Sequence, residues 1–230
     1  MNFPFQAVLF DMDGTITDST PLHNAAWQHF AYHHLGEKIA LDDPRLVPGR
    51  TIDVIASILG RPILDEEARA LHDEKENIYI ELAKGDMQPL PGLTFYIEYL
   101  KKHHIPLALV TNAPRMNVVF GLPELGLDET FDLILCAEDI KRGKPYPDPY
   151  LEACRCFNLP PSAALVHEDS PLGIQAGVAA GCPVAAILTD LPEYRAWQNG
   201  ARWVAKDYFD WVVQIDGGAL GSTLGPRLVL

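Results

Sequence analysis

Two carboxylates, Asp11 and Asp13, stand one residue apart where the apolar run Ala7 to Phe10 ends, and Gly14 follows them. On an extended chain, side chains at i and i+2 point the same way. The pair therefore concentrates anionic oxygens at one point, where they either repel or hold a hard cation such as Mg2+. One of them can also serve as a nucleophile. Taken alone, Asp-x-Asp-Gly reads equally well as a turn. Three further polar clusters shift the balance: Thr111/Asn112, Lys144 and Glu168/Asp169. Each follows an apolar strand-like run or lies in the loop between two such runs.

The elements that must position these residues follow from the apolar pattern. Strand-like runs occur at Ala7–Phe10, Ile105–Val110, Phe131–Cys136, Ala163–Val166 and Val184–Leu188. Helical stretches separate them: Leu93 to His103, Pro114 to about Leu122, Asp148 to Phe157, and the segment after Ser170-Pro171 that Gly181 closes. Such alternation predicts right-handed crossovers and a parallel, doubly wound α/β sheet. In that architecture strand C-termini share one edge and ligands bind in the crevice beyond it. Clusters far apart in sequence would then meet at one site.

Between the first two strands the chain is strand-poor. Thr20-Pro21 reads as an N-cap with proline at the first helical position, and Asp43-Pro44 and Asp148-Pro149 carry the same signal. Thr51 is placed to cap a helix through Leu59, and Asp65 to about Ala83 forms another helix with Glu66 and Glu67 in its first turn. The division expected is an α/β core at 1–16 and 88–230 with an inserted helical cap at 17–87. The tail 217–230 has no periodicity and reads as a loose end or an oligomer contact.

A net charge of −13 argues against nucleic acid or an anionic membrane as partner. No apolar run reaches membrane-spanning length. The N-terminus shows no signal-peptide pattern. The four cysteines, Cys136, Cys154, Cys156 and Cys182, form no framework and no zinc ligand set, so reduced thiols and a cytoplasmic location are expected.

Asp11-Met12-Asp13-Gly14-Thr15, Thr111-Asn112, Lys144-Pro145-x-Pro147-Asp148-x-Tyr150-Leu151 and Glu168-Asp169-Ser170-x-x-Gly173-Ile174-Gln175-Ala176 resemble, in order, the four motifs of the haloacid dehalogenase superfamily. The branch they look most like is the β-phosphoglucomutase-like sugar-phosphate phosphatases. The resemblance extends to about Leu188, with the helical insert where capped members carry it.

That resemblance implies a Mg2+-dependent phosphatase acting on a small phosphorylated metabolite, with Asp11 as nucleophile and an aspartyl-phosphate intermediate. Asp13 would serve as general acid and base. Metal ligands would come from Asp11, Asp169 and the Asp13 carbonyl, with Glu168 ligating directly or acting from behind them. Thr111 and Asn112, through backbone or amide, would bind phosphate oxygens, and Lys144 would supply charge, a task Lys141 or Arg142 could take instead. His23 matches a histidine of the mutase branch that helps relay protons through Asp13, although an exposed helical histidine is an equal reading. Arg50 is the cationic candidate for a substrate hydroxyl or second phosphate. Arg115 could face pocket or solvent, and Trp27 could be cap core or a sugar platform.

A hexose phosphate mutase shares the intermediate and is the alternative. Dehalogenase members lack the second acid, present here as Asp13. A receiver-like phospho-aspartate module also sets acids, a threonine and a lysine at strand ends, but the insert and the chain length disfavour it. A monomer or homodimer is expected.

Overall fold

The structure, a computed structural model, describes residues 3–46 and 51–216. Six strands form one sheet: β1 (Ala7–Phe10), β2 (Leu107–Val110), β3 (Leu133–Leu135), β4 (Ala164–Glu168), β5 (Val184–Ile187) and β6 (Trp203–Ala205). Their order is β3-β2-β1-β4-β5-β6, and every pairing is parallel. The first half of the strands fills one side of β1 and the second half the other, which is the doubly wound arrangement expected. β1 and β4 are neighbours at the point where the order reverses, and there the C-terminal edge opens into a crevice.

The sheet is covered on both faces, so its strands are largely apolar, with β4 ending in the buried polar pair His167 and Glu168. Val8 and Phe10 of β1 point into one core layer with Leu107 and Leu109. Ala7 and Leu9 point into the other with Ala108, Val110 and Val166. The first layer is closed by α4 (Leu93–Lys102), α5 (Arg115–Glu124) and α9 (Tyr208–Asp216), the second by α6 (Asp148–Cys156), α7 (Pro171–Ala180) and α8 (Glu193–Gln198). Between β1 and β2 lie α1 (Thr20–Leu35), α2 (Thr51–Leu59) and α3 (Asp65–Ala83). These three share an apolar cluster of their own, centred on Phe30, Ile55 and Ile58.

Several local expectations are corrected. β2 begins at Leu107 rather than Ile105, because Pro106 has no N–H to give a ladder. Asp43-Pro44 opens no helix: the Asp43 carboxylate accepts the Arg45 N–H and guanidinium at 2.8–2.9 Å, which closes a local turn. Ser19, not Thr20, is the N-cap of α1, and Pro147, not Asp148, that of α6. Thr51 does not cap α2; it is the first helical residue and its hydroxyl bonds Glu76. Ser170 does cap α7, accepting from the Gly173 N–H at 3.1 Å, and Gly181 closes that helix at φ 86°. β6 and α8 are not expected from the sequence, because a three-residue strand and a six-residue helix are too short to show a period; the nine-residue α9 is a further element beyond those expected.

Among the described residues no helix is long and apolar enough to cross a membrane, and all four cysteines are free thiols. The expectations for Arg50 and for the tail 217–230 lie outside the described residues.

Candidate active site

Strand register brings the acids together. Phe10 pairs with Leu109 on one side and His167 on the other. Asp11, the first residue beyond β1, therefore stands level with Glu168, the last residue of β4, with Asp169 one step beyond. Thr111 follows directly from β2. One ligand atom each from Asp11, Glu168 and Asp169 lies within 4.8 Å of the others.

Lys144, from the loop before α6, meets this cluster. Its Nζ donates to Asp11 Oδ1 and, at 2.5 Å, to Glu168 Oε1. The lysine side chain is only 4% exposed and that of Glu168 is fully buried, so the bridge is shielded from water. Burial alone would lower the Lys144 ammonium, but Asp11 and Glu168 more than reverse this and raise it. Arg142 is occupied elsewhere, in a pair with Asp148 at 2.9 and 3.0 Å. Asn112 fixes the Lys144 backbone: its Oδ1 accepts the Lys144 N–H at 3.0 Å and its amide donates to the Lys144 carbonyl at 3.3 Å. The carboxamide oxygen and one amide N–H are thereby taken up by the protein, and Asn112 lines the cavity beside Lys144. The Thr111 hydroxyl accepts the Ala113 N–H at 2.9 Å, so its own proton remains to be donated.

Glu168 is saturated. Besides Lys144, Oε1 accepts the Tyr150 hydroxyl at 2.7 Å. Oε2 accepts the N–H groups of Asp169 and Ser170 and the Ser170 hydroxyl at 3.1–3.3 Å. Such a carboxylate orients Lys144, and one of its oxygens still lies within 4.8 Å of ligand atoms of Asp11 and Asp169. Asp169 is held by the Thr15 hydroxyl at 3.3 Å and lies against Gly14. Gly14 has φ +77°, and a Cβ there would sit 2.1 Å from Asp169 Oδ2. Both facts require glycine.

Burial pushes the Asp11 carboxyl up to about 7, with Glu168 and Asp13 adding to the push and Lys144 opposing it. Asp169 is raised well above the ordinary range, again by burial first and by its carboxylate neighbours second. Three acids thus face one ammonium in a dry site. That excess of negative oxygen is what a hard divalent cation neutralises, so the donor set fits Mg2+.

Asp13 is set apart from this cluster and lines a cavity of about 890 Å3. Its Oδ1 accepts the Ser19 hydroxyl at 2.6 Å and lies 3.3 Å from His23 Nε2. Burial would raise the Asp13 carboxyl, but His23 and Ser19 bring it below its usual value. His23 stacks face to face on Tyr79 at 3.9 Å, and Lys75 Nζ lies 3.0 Å from its Nδ1. A charged lysine only donates, so Nδ1 is the accepting nitrogen of that contact, and Nε2 is the nitrogen that faces Asp13.

The wall of the cavity also holds groups that the sequence did not reveal. Lys75 pairs with Glu76 at 3.0 Å, both nearly fully buried, and lies over the Trp27 ring at 4.7 Å. Glu76 in turn accepts from Thr51 of α2 at 2.9 Å and from Asn117 of α5 at 2.8 Å. One signal was available: Lys75, Tyr79 and Ala83 fall at four-residue spacing, so Lys75 shares the buried stripe of α3. Trp27 lines the cavity and also packs edge-on against Phe30. Arg115 is exposed and bound to Asp139 at 2.5–2.6 Å.

Comparison with known proteins agrees with this geometry. Residues 8–187 match the haloacid dehalogenase-like hydrolase family, and the chain belongs to it. It is 32% identical over 186 residues to the phosphorylated carbohydrates phosphatase of Thermotoga maritima, covering 76% of this chain and 82% of that one. It is 32% identical over 195 residues to hexitol phosphatase A of Escherichia coli, covering 78% and 81%. Among solved structures, a HAD hydrolase of family IA, variant 3, from Entamoeba histolytica superposes with a TM-score of 0.82 at 32% identity, covering 89% of this chain and 94% of that one. The chain is accordingly an enzyme of the phosphoric monoester hydrolase class within that family.

Proposed function

We propose that this hydrolase cleaves the phosphate ester of a small phosphorylated metabolite, a sugar phosphate by class, through a covalent phosphate on Asp11. The observation that carries the reading is the meeting of Asp11, Glu168, Asp169 and Lys144 at the switch point of the sheet. Mg2+, held by the Asp11 and Asp169 carboxylates and the Asp13 carbonyl, would supply neutralising charge for the transferring phosphoryl group.

An Asp11 oxygen attacks phosphorus and the P–O ester bond breaks. The anionic phosphate of the bound substrate raises the Asp13 carboxyl, which His23 and Ser19 hold low in the free protein. Asp13 therefore takes up a proton on binding and gives it to the departing alkoxide, and the product leaves as an alcohol. Asp13, now a carboxylate, takes a proton from water, and the resulting oxygen nucleophile attacks the acyl phosphate. Inorganic phosphate departs and Asp11 is restored. Lys144 and the Thr111 hydroxyl neutralise and orient the phosphoryl oxygens, while Glu168 and Asn112 keep Lys144 in place. His23, fixed by Lys75, holds Asp13 by its Oδ1.

The segment 17–87 is read as a cap, because α1 and α3 contribute His23, Trp27 and Lys75 to the cavity while Asn112, Asn117 and Lys144 come from the opposite wall. Cap opening would release the alcohol and admit the second water. Four free thiols, with the Cys154 and Cys182 sulfurs unbonded at 3.9 Å, support a cytoplasmic location.

The test is a panel of phosphorylated metabolites assayed for phosphate release with Mg2+ and with EDTA. Phosphate release from sugar phosphates, lost on chelation, is expected. Isomerised hexose phosphate without phosphate release would replace this reading with a mutase.

A further inference from the structure

A second group of ligating side chains lies on the insert, away from Asp11. His33 and His34 occupy the last turn of α1, and Glu74 faces them from α3. His33 Nδ1 is 2.6 Å from Glu74 Oε1, and His34 Nε2 is 3.1 Å from each Glu74 oxygen. The three donor atoms all fall within 4.8 Å of one another. His33 follows His23 by ten residues on the same helix, roughly 15 Å along its axis.

We propose that His33, His34 and Glu74 bind a late first-row divalent cation such as Zn2+ or Ni2+, joining the end of α1 to α3. Two imidazoles and one carboxylate suit such ions, whereas the all-oxygen set at Asp11 and Asp169 suits Mg2+. Ligand type would sort the two ions between the two places.

Four features prepare the cluster. The His34 ring packs on Phe30 at 4.4 Å, which restricts it, and only 23% of the side chain is exposed. The His33 ring is 69% exposed, so an ion can enter from solvent. Glu74 has no lysine or arginine partner among the described residues; its ion-pair partners are the two histidines themselves. The C-terminal turn of a helix also carries partial negative charge, which favours a cation there.

The proton balance is simple. His33 presents Nδ1 and His34 presents Nε2 to Glu74, and a neutral ring in that contact gives its N–H to the carboxylate. On binding, that proton moves to the ring's other nitrogen through solvent, and the freed lone pair takes the ion. No oxidant, reductant or net proton release is needed.

The site does not depend on the hydrolytic reading, and its test does not use turnover. Protein stripped of metal and then saturated with Mg2+ is titrated with Zn2+ by calorimetry, and with Co2+ by visible absorption. The wild type should take up one equivalent, show a nitrogen-ligated Co2+ spectrum, and melt at a higher temperature with Zn2+ present. The His33→Ala/His34→Ala variant should lose at least about tenfold in affinity and lose the melting shift. Glu74→Gln should weaken uptake while leaving the rings in place.

Cys156 is an exposed thiol, so Cys156→Ser is titrated beside them and should bind as wild type does. Uptake that survives in the double histidine variant, or that vanishes with Cys156, overturns the proposal. So does a wild type that takes up nothing at about 1 mM Zn2+, the affinity of a weak contact.

Discussion

Gly173 and Glu168 occupy space that only one side chain can use. A Cβ on Gly173 would lie 1.8 Å from Glu168 Oε1 and 2.1 Å from Oε2. The first turn of α7 therefore owes its closeness to the buried carboxylate to the missing methyl group. Because Glu168 also holds Lys144, one glycine on a helix sets where the ammonium stands against Asp11. Gly173→Ala should displace Glu168, destabilise the fold by about 1–3 kcal/mol as overpacked cores do, and lower turnover more than tenfold. Urea unfolding and steady-state kinetics check both halves.

Asp11→Asn should stop turnover and leave the fold intact. The amide has nearly the shape of the carboxyl, and Lys144 keeps Glu168 as its partner. Circular dichroism should be unchanged and phosphate release undetectable; substantial activity would remove Asp11 as nucleophile.

Asp13→Ala should cost about 10²–10⁴-fold in kcat/KM for alkyl phosphates. An aryl phosphate, whose leaving group departs without a proton, should lose far less in the same parameter, because kcat/KM does not report the later attack by water. Equal losses on the two substrate classes would show that Asp13 does something other than protonate the leaving oxygen.

Removing divalent metal with EDTA should abolish phosphate release, and added Mg2+ should restore it. Asp169→Asn should raise the Mg2+ concentration needed for half-maximal rate, whereas Tyr150→Phe, which removes only one bond to Glu168, should change it little. A Mg2+ requirement unmoved by Asp169→Asn would take Asp169 out of the ligand set.

Glu76→Ala should be among the most destabilising changes in the insert. It leaves Lys75 and Asn117 buried without their partner, and breaking a buried ion pair costs about 3–5 kcal/mol. Glu76→Gln keeps the shape and should lose less. Guanidinium unfolding of the two variants measures the difference.

The catalytic edge was legible because its residues follow strands. An apolar run that stops at a polar pair marks a strand end in a doubly wound sheet, and Asp11 and Thr111 obey that rule, whereas β4 runs past its apolar stretch through His167 to Glu168. The cavity wall was not legible in the same way. Lys75 and Glu76 sit in a helix rich in charge, where the four-residue spacing of Lys75, Tyr79 and Ala83 is only a hint of a buried face. Their burial depends on Asn117 and Thr51, residues distant in sequence, and no local pattern encodes that meeting. The caps shifted for a related reason: Ser19, one residue before the expected Thr20, is the N-cap of α1 but gives its hydroxyl to Asp13, and Asp148 lies inside α6 with its carboxylate on Arg142.

The parallel pairing of β1 with β4 has a bearing on how the chain becomes active. Lys144 reaches Asp11 across 133 residues, and Thr15 reaches Asp169 across 154. A nascent chain that has made its first strand and the whole helical insert still possesses no nucleophile in working surroundings. Contacts of such long separation close late and slowly, so turnover should be the last property gained on refolding. It should also be the first lost when the two halves of the sheet part company, which makes phosphate release a reporter of the whole fold's integrity.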